Sequence, residues 1–114
     1  MSLPLRQEIR IPSGDVRRLR FQILEGGNKT ASNLMAQTLI FYIKQEGNGD
    51  FTPIEKNIVN EGWFVDNANK EFEIVIDTDA YSMSIGEYQA EIEWEDKKAS
   101  LVFMNISIYT DIRH

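Results

Sequence analysis

The stretch that decides the fold is IGEYQAEIEW, residues 85–94. After its glycine, apolar and polar residues alternate to the end of the stretch. The apolar set shares one side of an extended chain and comprises Tyr88, Ala90, Ile92 and Trp94. The opposite side carries Glu87, Gln89, Glu91 and Glu93. A period of two is typical of a β-strand with one buried face. The carboxylates are therefore predicted to lie on a solvated face.

The same period recurs along the rest of the chain. Long alternating runs cover residues 17–24, 37–45 and 70–77, and shorter candidate strands cover 8–11 and 54–58. Along residues 99–109 both registers are partly apolar, which predicts a strand covered on both faces. Glycine, asparagine and aspartate lie between the runs, where tight turns need positive φ angles and side-chain caps. Helical patterns are limited to short turns. The sequence predicts an all-β fold, an antiparallel, immunoglobulin-like β-sandwich of seven to eight strands, in a single domain spanning residues 1–114.

Tyr88 follows an acidic loop, a short turn and Gly86. In immunoglobulin-like sandwiches, a tyrosine near the start of a late strand packs at a corner and donates its hydroxyl hydrogen to nearby backbone. A large apolar ring with a polar tip suits the rim of a core. We therefore interpret Tyr88 as an architectural residue rather than a ligand contact.

Composition restricts the classes of function. The net charge of −6 disfavours a general binder of nucleic acid or anionic membranes. No apolar run approaches the roughly 20 residues of a membrane span, and the absence of cysteine excludes disulfides and thiolate sites. Basic residues collect in the N-terminal third, where we interpret them as a solvated face, with phosphate binding as the alternative: Arg6, Arg10, Arg17, Arg18 and Arg20.

Signatures of catalysis are missing. The single histidine is His114, the last residue, so no catalytic Ser–His or Cys–His arrangement is predicted. Asp77 and Asp79 could bind calcium together with Glu73 or Asp66. The alternative is that the two aspartates only form a turn at the end of a strand. The chain is therefore predicted to be no enzyme, with no cofactor and no metal site.

Large apolar residues at outward positions indicate a surface meant for a neighbour. Trp63 and Phe64 are adjacent, so an extended chain points them to opposite faces. Exposed aromatic residues often anchor contacts with proteins, and Trp63 could instead stack on a sugar. The predicted partner-binding residues are Tyr42, Trp63, Phe64 and Val102.

Several motifs together are similar to those of a family of small bacteriophage tail-associated proteins. They are SGDVRRLRFQILEGGN at 13–28, QTLIFYIKQ at 37–45, IEKNI at 54–58 and FEIVIDTDAYSMSIGEYQAEIEW at 72–94, closed by LVFMNISIYTDI at 101–112. The resemblance extends from about residue 8 to residue 112. The chain also resembles the immunoglobulin-like N-terminal domain of upper-baseplate proteins. The most specific matches are Gly14–Asp15, Phe21, Lys56, Gly86, Tyr88 and Glu91–Ile92.

This resemblance implies a non-enzymatic structural component of a phage or prophage virion, in the tail, baseplate or neck. Such a protein is made in the bacterial host cytoplasm and ends up in the virion. Its implied partners are other virion proteins, in a homo-oligomer or symmetric array, without nucleic acid or membrane. The alternative is a β-sandwich module that binds carbohydrate or the host surface. A small acidic enzyme or a calcium-dependent protein is a third hypothesis.

Overall fold

The structure is a computed structural model that describes residues 5–47 and 49–110, so His114 lies outside the described residues. The described chain forms ten strands and three short 3-10 turns. The strands are β1 (Leu5–Pro12), β2 (Val16–Gln22), β3 (Leu24–Glu25), β4 (Asn28–Lys29), β5 (Leu39–Gln45), β6 (Ile54–Asn57), β7 (Val65–Asp66), β8 (Glu71–Asp77), β9 (Gly86–Trp94) and β10 (Ala99–Tyr109). The 3-10 turns cover Leu34–Ala36, Ile58–Glu61 and Glu95–Lys97.

Eight of the strands form two sheets that face each other. One sheet has the order β1-β10-β9-β5-β6 and the other has the order β2-β8-β7, while β3 and β4 form a separate two-stranded ribbon. This arrangement matches the two sheets of an immunoglobulin-like sandwich, in which strands B, E and D pack on strands C, F and G. The predicted fold class is confirmed.

One pairing departs from the antiparallel pattern. β1 runs parallel to β10, with Ile9 opposite Ile106 and Ile11 opposite Ile108. β1 and β10 come from opposite ends of the chain, so no hairpin dictates their relative direction. The first strand can therefore pair in parallel with the last one and form the outer strand of the sheet.

The core lies between the two sheets and follows the predicted alternation. The large, fully buried side chains include residues from both sheets: Tyr88, Phe41, Phe72, Leu39, Ile43, Ile74, Ile76, Ile92 and Ile106. Phe21 and Phe72 face each other across the β2–β8 pair, with 5.7 Å between ring centroids. Because both sheets contribute to the same cluster, burial of apolar area holds them together.

Tyr88 closes the corner of this core. Its hydroxyl donates a hydrogen bond to the Ser84 carbonyl at 2.8 Å, and its ring meets the Phe51 ring edge-on at 5.1 Å. The side chain is fully buried, so the bond to Ser84 satisfies a hydroxyl that water does not reach. The architectural role predicted for Tyr88 is confirmed.

The Gly14–Asp15 motif is also architectural. Gly14 has a φ of +93°, which favours glycine, and its amide donates to the Thr78 hydroxyl at 3.0 Å. That hydroxyl in turn donates to the Asp15 carbonyl at 2.8 Å. Thr78 is buried, so the three residues tie the β1–β2 turn to the end of β8.

The predicted outward position of Val102 is wrong. Its side chain is only 3% exposed and points into the core opposite Ile92. Both registers of β10 are partly apolar, so the letters alone do not decide which one is buried. A bulge between Ser100 and Val102 shifts the register and turns Phe103 outward instead. Val102 is therefore a core residue and not a contact residue.

Candidate functional site

The described residues contain no group of three or more His, Cys, Asp or Glu side chains that could hold a metal ion. Asp77 accepts backbone hydrogen bonds from Asp79 and Ala80, at 3.2 and 3.0 Å, so it shapes a turn. Asp66 likewise shapes the turn between β7 and β8, where hydrogen bonds from Asn69 lower the pKa of the Asp66 carboxyl. The predicted contact residues make the outer surface of the sandwich the candidate functional site.

The outer face of the five-stranded sheet carries a row of aligned side chains. Strand pairing places them side by side in the order Arg6, Phe103, Glu91, Tyr42 and Glu55. The Arg6 guanidinium lies 5.1 Å from the centre of the Phe103 ring, and Tyr42 is 37% exposed. A shallow depression of about 510 Å³ runs along this row. Tyrosine, phenylalanine and arginine are enriched at protein contacts, so this row is a candidate contact surface.

Phe64 and Trp63 occupy different environments from Tyr42. Phe64 is 39% exposed on the outer face of the three-stranded sheet, where the Arg20 guanidinium lies 4.0 Å from its ring centre. Trp63 is half-buried, and its ring meets the core residue Phe41 at 6.2 Å with a 62° tilt. The structure therefore does not bring the predicted contact residues together: Tyr42 and Phe64 belong to different sheets.

One side of the sandwich collects arginines. β1 and β2 are the outer strands of their respective sheets, and the Arg17 guanidinium donates to the Arg10 carbonyl at 3.0 Å, joining the two. We call this side the basic edge and define it by Arg6, Arg10, Arg17, Arg18 and Arg20. Arg18 and Arg20 both reach Glu73, at 3.4 and 3.5 Å, so one carboxylate serves two guanidinium groups. Positive charge remains in excess there.

The opposite side of the sandwich is acidic. It is formed by β6, by the 3-10 turn that follows it, and by β7, the outer strand of the other sheet. We call it the acidic edge and define it by Glu55, Glu61 and Asp66. The Lys56 ammonium pairs with Glu61 at 3.3 Å, which leaves a net negative charge. Glu55 is exposed on β6 and has no ion pair among the described residues.

Sequence reasoning detected the N-terminal arginines but not the two edges. The residues of the acidic edge come from separate segments, and only the sheet order shows that they share a side. The available signal was the concentration of arginine in residues 6–20, because two consecutive strands carry it. Whether those strands lie at an edge or in the middle of a sheet depends on long-range pairing.

Tyr81 lies next to the acidic edge, and the negative charge there contributes to its raised pKa. Its hydroxyl donates to the Val75 carbonyl at 2.7 Å, and the Lys56 ammonium lies 5.9 Å from its ring centre. Burial raises the pKa of Tyr81 to about 12, with smaller contributions from the negative charges of Glu61 and Asp77. The neutral phenol is therefore the form that the folded protein favours.

We expect this shift to appear as alkaline destabilisation. The unfolded chain releases the Tyr81 proton near the ordinary pKa of about 10, whereas the folded chain holds it up to about pH 12. The free energy of unfolding is therefore unaffected by this group below pH 10 and falls as the pH rises from 10 to 12. Urea unfolding across that range should show a shallower decline for Tyr81→Phe than for the parent chain. Equal slopes would contradict the raised pKa.

An apolar groove of about 840 Å³ opens between the sheets at one end of the basic edge. Its walls come from the start of β1, the start of β10 and the end of β2, with Leu5, Phe21 and Leu101 among the lining side chains. Leu5 and Leu24 are each 48% exposed there. The groove adds apolar surface beside the arginines.

These features define the chain as an immunoglobulin-like β-sandwich with one basic and one acidic edge. No family model matches the chain, and no curated protein matches it. Among solved structures it is similar to the NK cell receptor NKp44, described as a triggering partner in natural cytotoxicity. The TM-score is 0.41 at 11% identity, covering 95% of this chain and 100% of that chain. In the described residues, no helix is long and apolar enough to cross a membrane.

Proposed function

We propose that this chain is a non-enzymatic structural component of a phage or prophage virion, in the tail, baseplate or neck. It is made in the bacterial host cytoplasm and docks onto neighbouring virion subunits as a rigid module. The sequence resemblance to small tail-associated and upper-baseplate proteins supports this assignment. Its partners are other virion proteins, and the particle's symmetry repeats the contact.

The observation that carries the proposal is the exposure of both outer strands of the five-stranded sheet. Within residues 5–47 and 49–110, β1 pairs only with β10, and β6 pairs only with β5. Unpaired backbone groups along such strands can be extended by a strand of another subunit. Tyr42 lies on the outer face beside β6, where it would flank a contact made at that strand.

The alternative, a module that binds carbohydrate or the host surface, required an exposed tryptophan. Trp63 is half-buried against Phe41, and Trp94 is 3% exposed with its indole nitrogen donating to Gln37 at 2.7 Å. Trp94 is therefore closed to a sugar, and Trp63 exposes only part of its side chain. The structural role is therefore the better supported proposal.

The test is the protein content of purified particles. The host strain is induced, particles are purified on a density gradient, and their proteins are quantified by mass spectrometry. The proposal expects the chain in intact particles at a fixed ratio to a tail protein, and expects immunogold label at one end of the tail. A chain that remains in the lysate, or that washes off with host proteins, would refute the proposal.

A further inference from the structure

We propose that copies of this chain associate head to tail, with the basic edge of one copy docked against the acidic edge of the next. In the contact, β1 of one copy lies beside β6 of its neighbour and continues the five-stranded sheet. The occupant of each edge is a second copy of this chain. The inference deepens the proposed function and rests on it for its biological setting, because it names the neighbour in the array.

The backbone of β1 has hydrogen-bonding groups available for this contact. The Arg10 carbonyl points away from β10, since it accepts the Arg17 guanidinium. Backbone groups alternate sides along a strand, so the amides and carbonyls of Arg6 and Glu8 point the same way. The Arg17 contact occupies one acceptor position of the Arg10 carbonyl, while the Arg10 amide and the backbone groups of Glu8 remain available for a neighbouring strand. The eight residues of β1 are enough to pair with the four residues of β6.

The side chains on the two strands are complementary in charge. On the outer face, β1 presents Arg6, Glu8 and Arg10, whereas β6 presents Glu55 and Asn57. β1 and β6 run in opposite directions within the sheet, so a copy that continues it with its outer face on the same side sets the two strands antiparallel. The register that sets Glu55 opposite Arg10 then also sets Asn57 opposite Glu8, because outward residues recur every second position. Opposite charges placed directly across two strands stabilise their pairing, and the Asn57 amide can donate to the Glu8 carboxylate.

Two arginines of β1 are positioned by aromatic rings of β10. The Arg6 guanidinium lies over the Phe103 ring at 5.1 Å, and that of Arg10 lies over the Tyr109 ring at 4.8 Å. Neither arginine forms an ion pair within the part of the chain that the structure describes. Stacking on a ring limits the conformations of each side chain, so less entropy is lost when a carboxylate from the neighbour binds.

The same charges disfavour the symmetric antiparallel pair of two β1 strands that is centred on Glu8. In that pair, the carboxylates of Glu8 oppose each other and each arginine opposes an arginine. Like charges directly across two strands are destabilising. The symmetric pair centred on Gln7 sets Arg6 opposite Glu8 instead, and the Glu55→Arg variant distinguishes it from the head-to-tail contact because the symmetric pair does not involve Glu55. Pairing unlike edges leaves one basic and one acidic edge free on every assembly. Such heterologous contacts produce a closed ring or an open filament, depending on the rotation between copies.

The experiment is sedimentation velocity of the purified full chain over a concentration series, in low salt at about 50 mM and in high salt at about 500 mM, where screening is stronger. Species larger than a monomer should appear in low salt and decrease in high salt. The variants Arg6→Glu/Arg10→Glu and Glu55→Arg should each weaken association about tenfold or more. The matched control Lys97→Glu/Lys98→Glu makes the same charge change as the arginine pair at two exposed residues of the β9–β10 turn, outside both edges. It should associate like the parent chain.

Mixing the two weakened variants tests the head-to-tail geometry directly. The arginine variant keeps its acidic edge, and the Glu55→Arg variant keeps its basic edge, so the mixture should form heterodimers that neither variant forms alone. Thermal unfolding of every variant establishes that loss of association is not loss of folding. A parent chain that stays monomeric throughout the series would overturn the inference. So would association that both variants leave unchanged, because it would use another surface.

The results of this experiment and of the particle analysis are independent, so each proposal can be refuted without the other. A chain found in particles but monomeric in solution, with association absent at every concentration, would refute the head-to-tail contact and leave the virion role standing. A chain that associates as described but is missing from particles would refute the virion role and leave the contact standing.

Discussion

Replacing Phe41 by alanine is expected to lower the free energy of unfolding by about 3–5 kcal/mol, the usual cost of truncating a buried aromatic residue. Phe41 is fully buried in β5, between core residues of both sheets, and its ring supports Trp63 at 6.2 Å. Truncation removes buried apolar surface and leaves a cavity that the closely packed neighbours fill only in part. Urea unfolding followed by tryptophan fluorescence measures the change.

The neighbouring residue supplies a control within the same strand. Tyr42 points to the outer face and is 37% exposed, so Tyr42→Ala should cost less than about 1 kcal/mol. Phe41→Leu, which keeps most of the volume, should fall between the two alanine variants. Equal losses for Phe41→Ala and Tyr42→Ala would contradict the assignment of inward and outward faces in β5.

The second large effect is expected at Tyr88. Tyr88→Phe keeps the buried ring and its edge-on contact with Phe51 but removes the donor to the Ser84 carbonyl. Loss of one hydrogen bond in a buried setting should lower the free energy of unfolding by about 1–2 kcal/mol. Tyr88→Ala removes the ring as well, and its loss should approach that of Phe41→Ala.

Tyr42→Phe is the matched control for the hydroxyl group. Its hydroxyl is on an exposed residue, so removing it should change the free energy of unfolding by less than about 0.5 kcal/mol. Chemical denaturation of both phenylalanine variants under one set of conditions gives the comparison. If Tyr88→Phe were as stable as the parent chain, the corner hydrogen bond would make no net contribution and the architectural interpretation of the tyrosine would fail.

The predicted strands and the Tyr88 corner were accessible from sequence because both depend on local spacing. A strand exposes alternate residues to opposite sides whatever its neighbours are, so an apolar period of two identifies the buried side in β5, β8 and β9. Tyr88 stands at a fixed distance from Gly86 and the preceding turn, and its hydrogen bond reaches only four residues back.

β10 marks the limit of that reasoning. Apolar residues occupy both of its registers, so spacing alone leaves the inward side undecided, and Val102 was assigned to the wrong one. Pairing with β9 and the bulge after Ser100 decide the outcome. The outward register is then covered by arginines of β1, a strand from the other end of the chain. No local pattern encodes that contact.

The sequence by itself determined that this chain is a β-sandwich, where most strands run and which tyrosine closes the core. Only the tertiary structure decided which strands are outermost, and with them the positions of the basic and acidic edges. The physical reason is that alternation is a property of one strand, whereas an edge is defined by the absence of a neighbour. Strand order depends on pairings between distant segments, such as β1 with β10, and those pairings set which charges face another molecule.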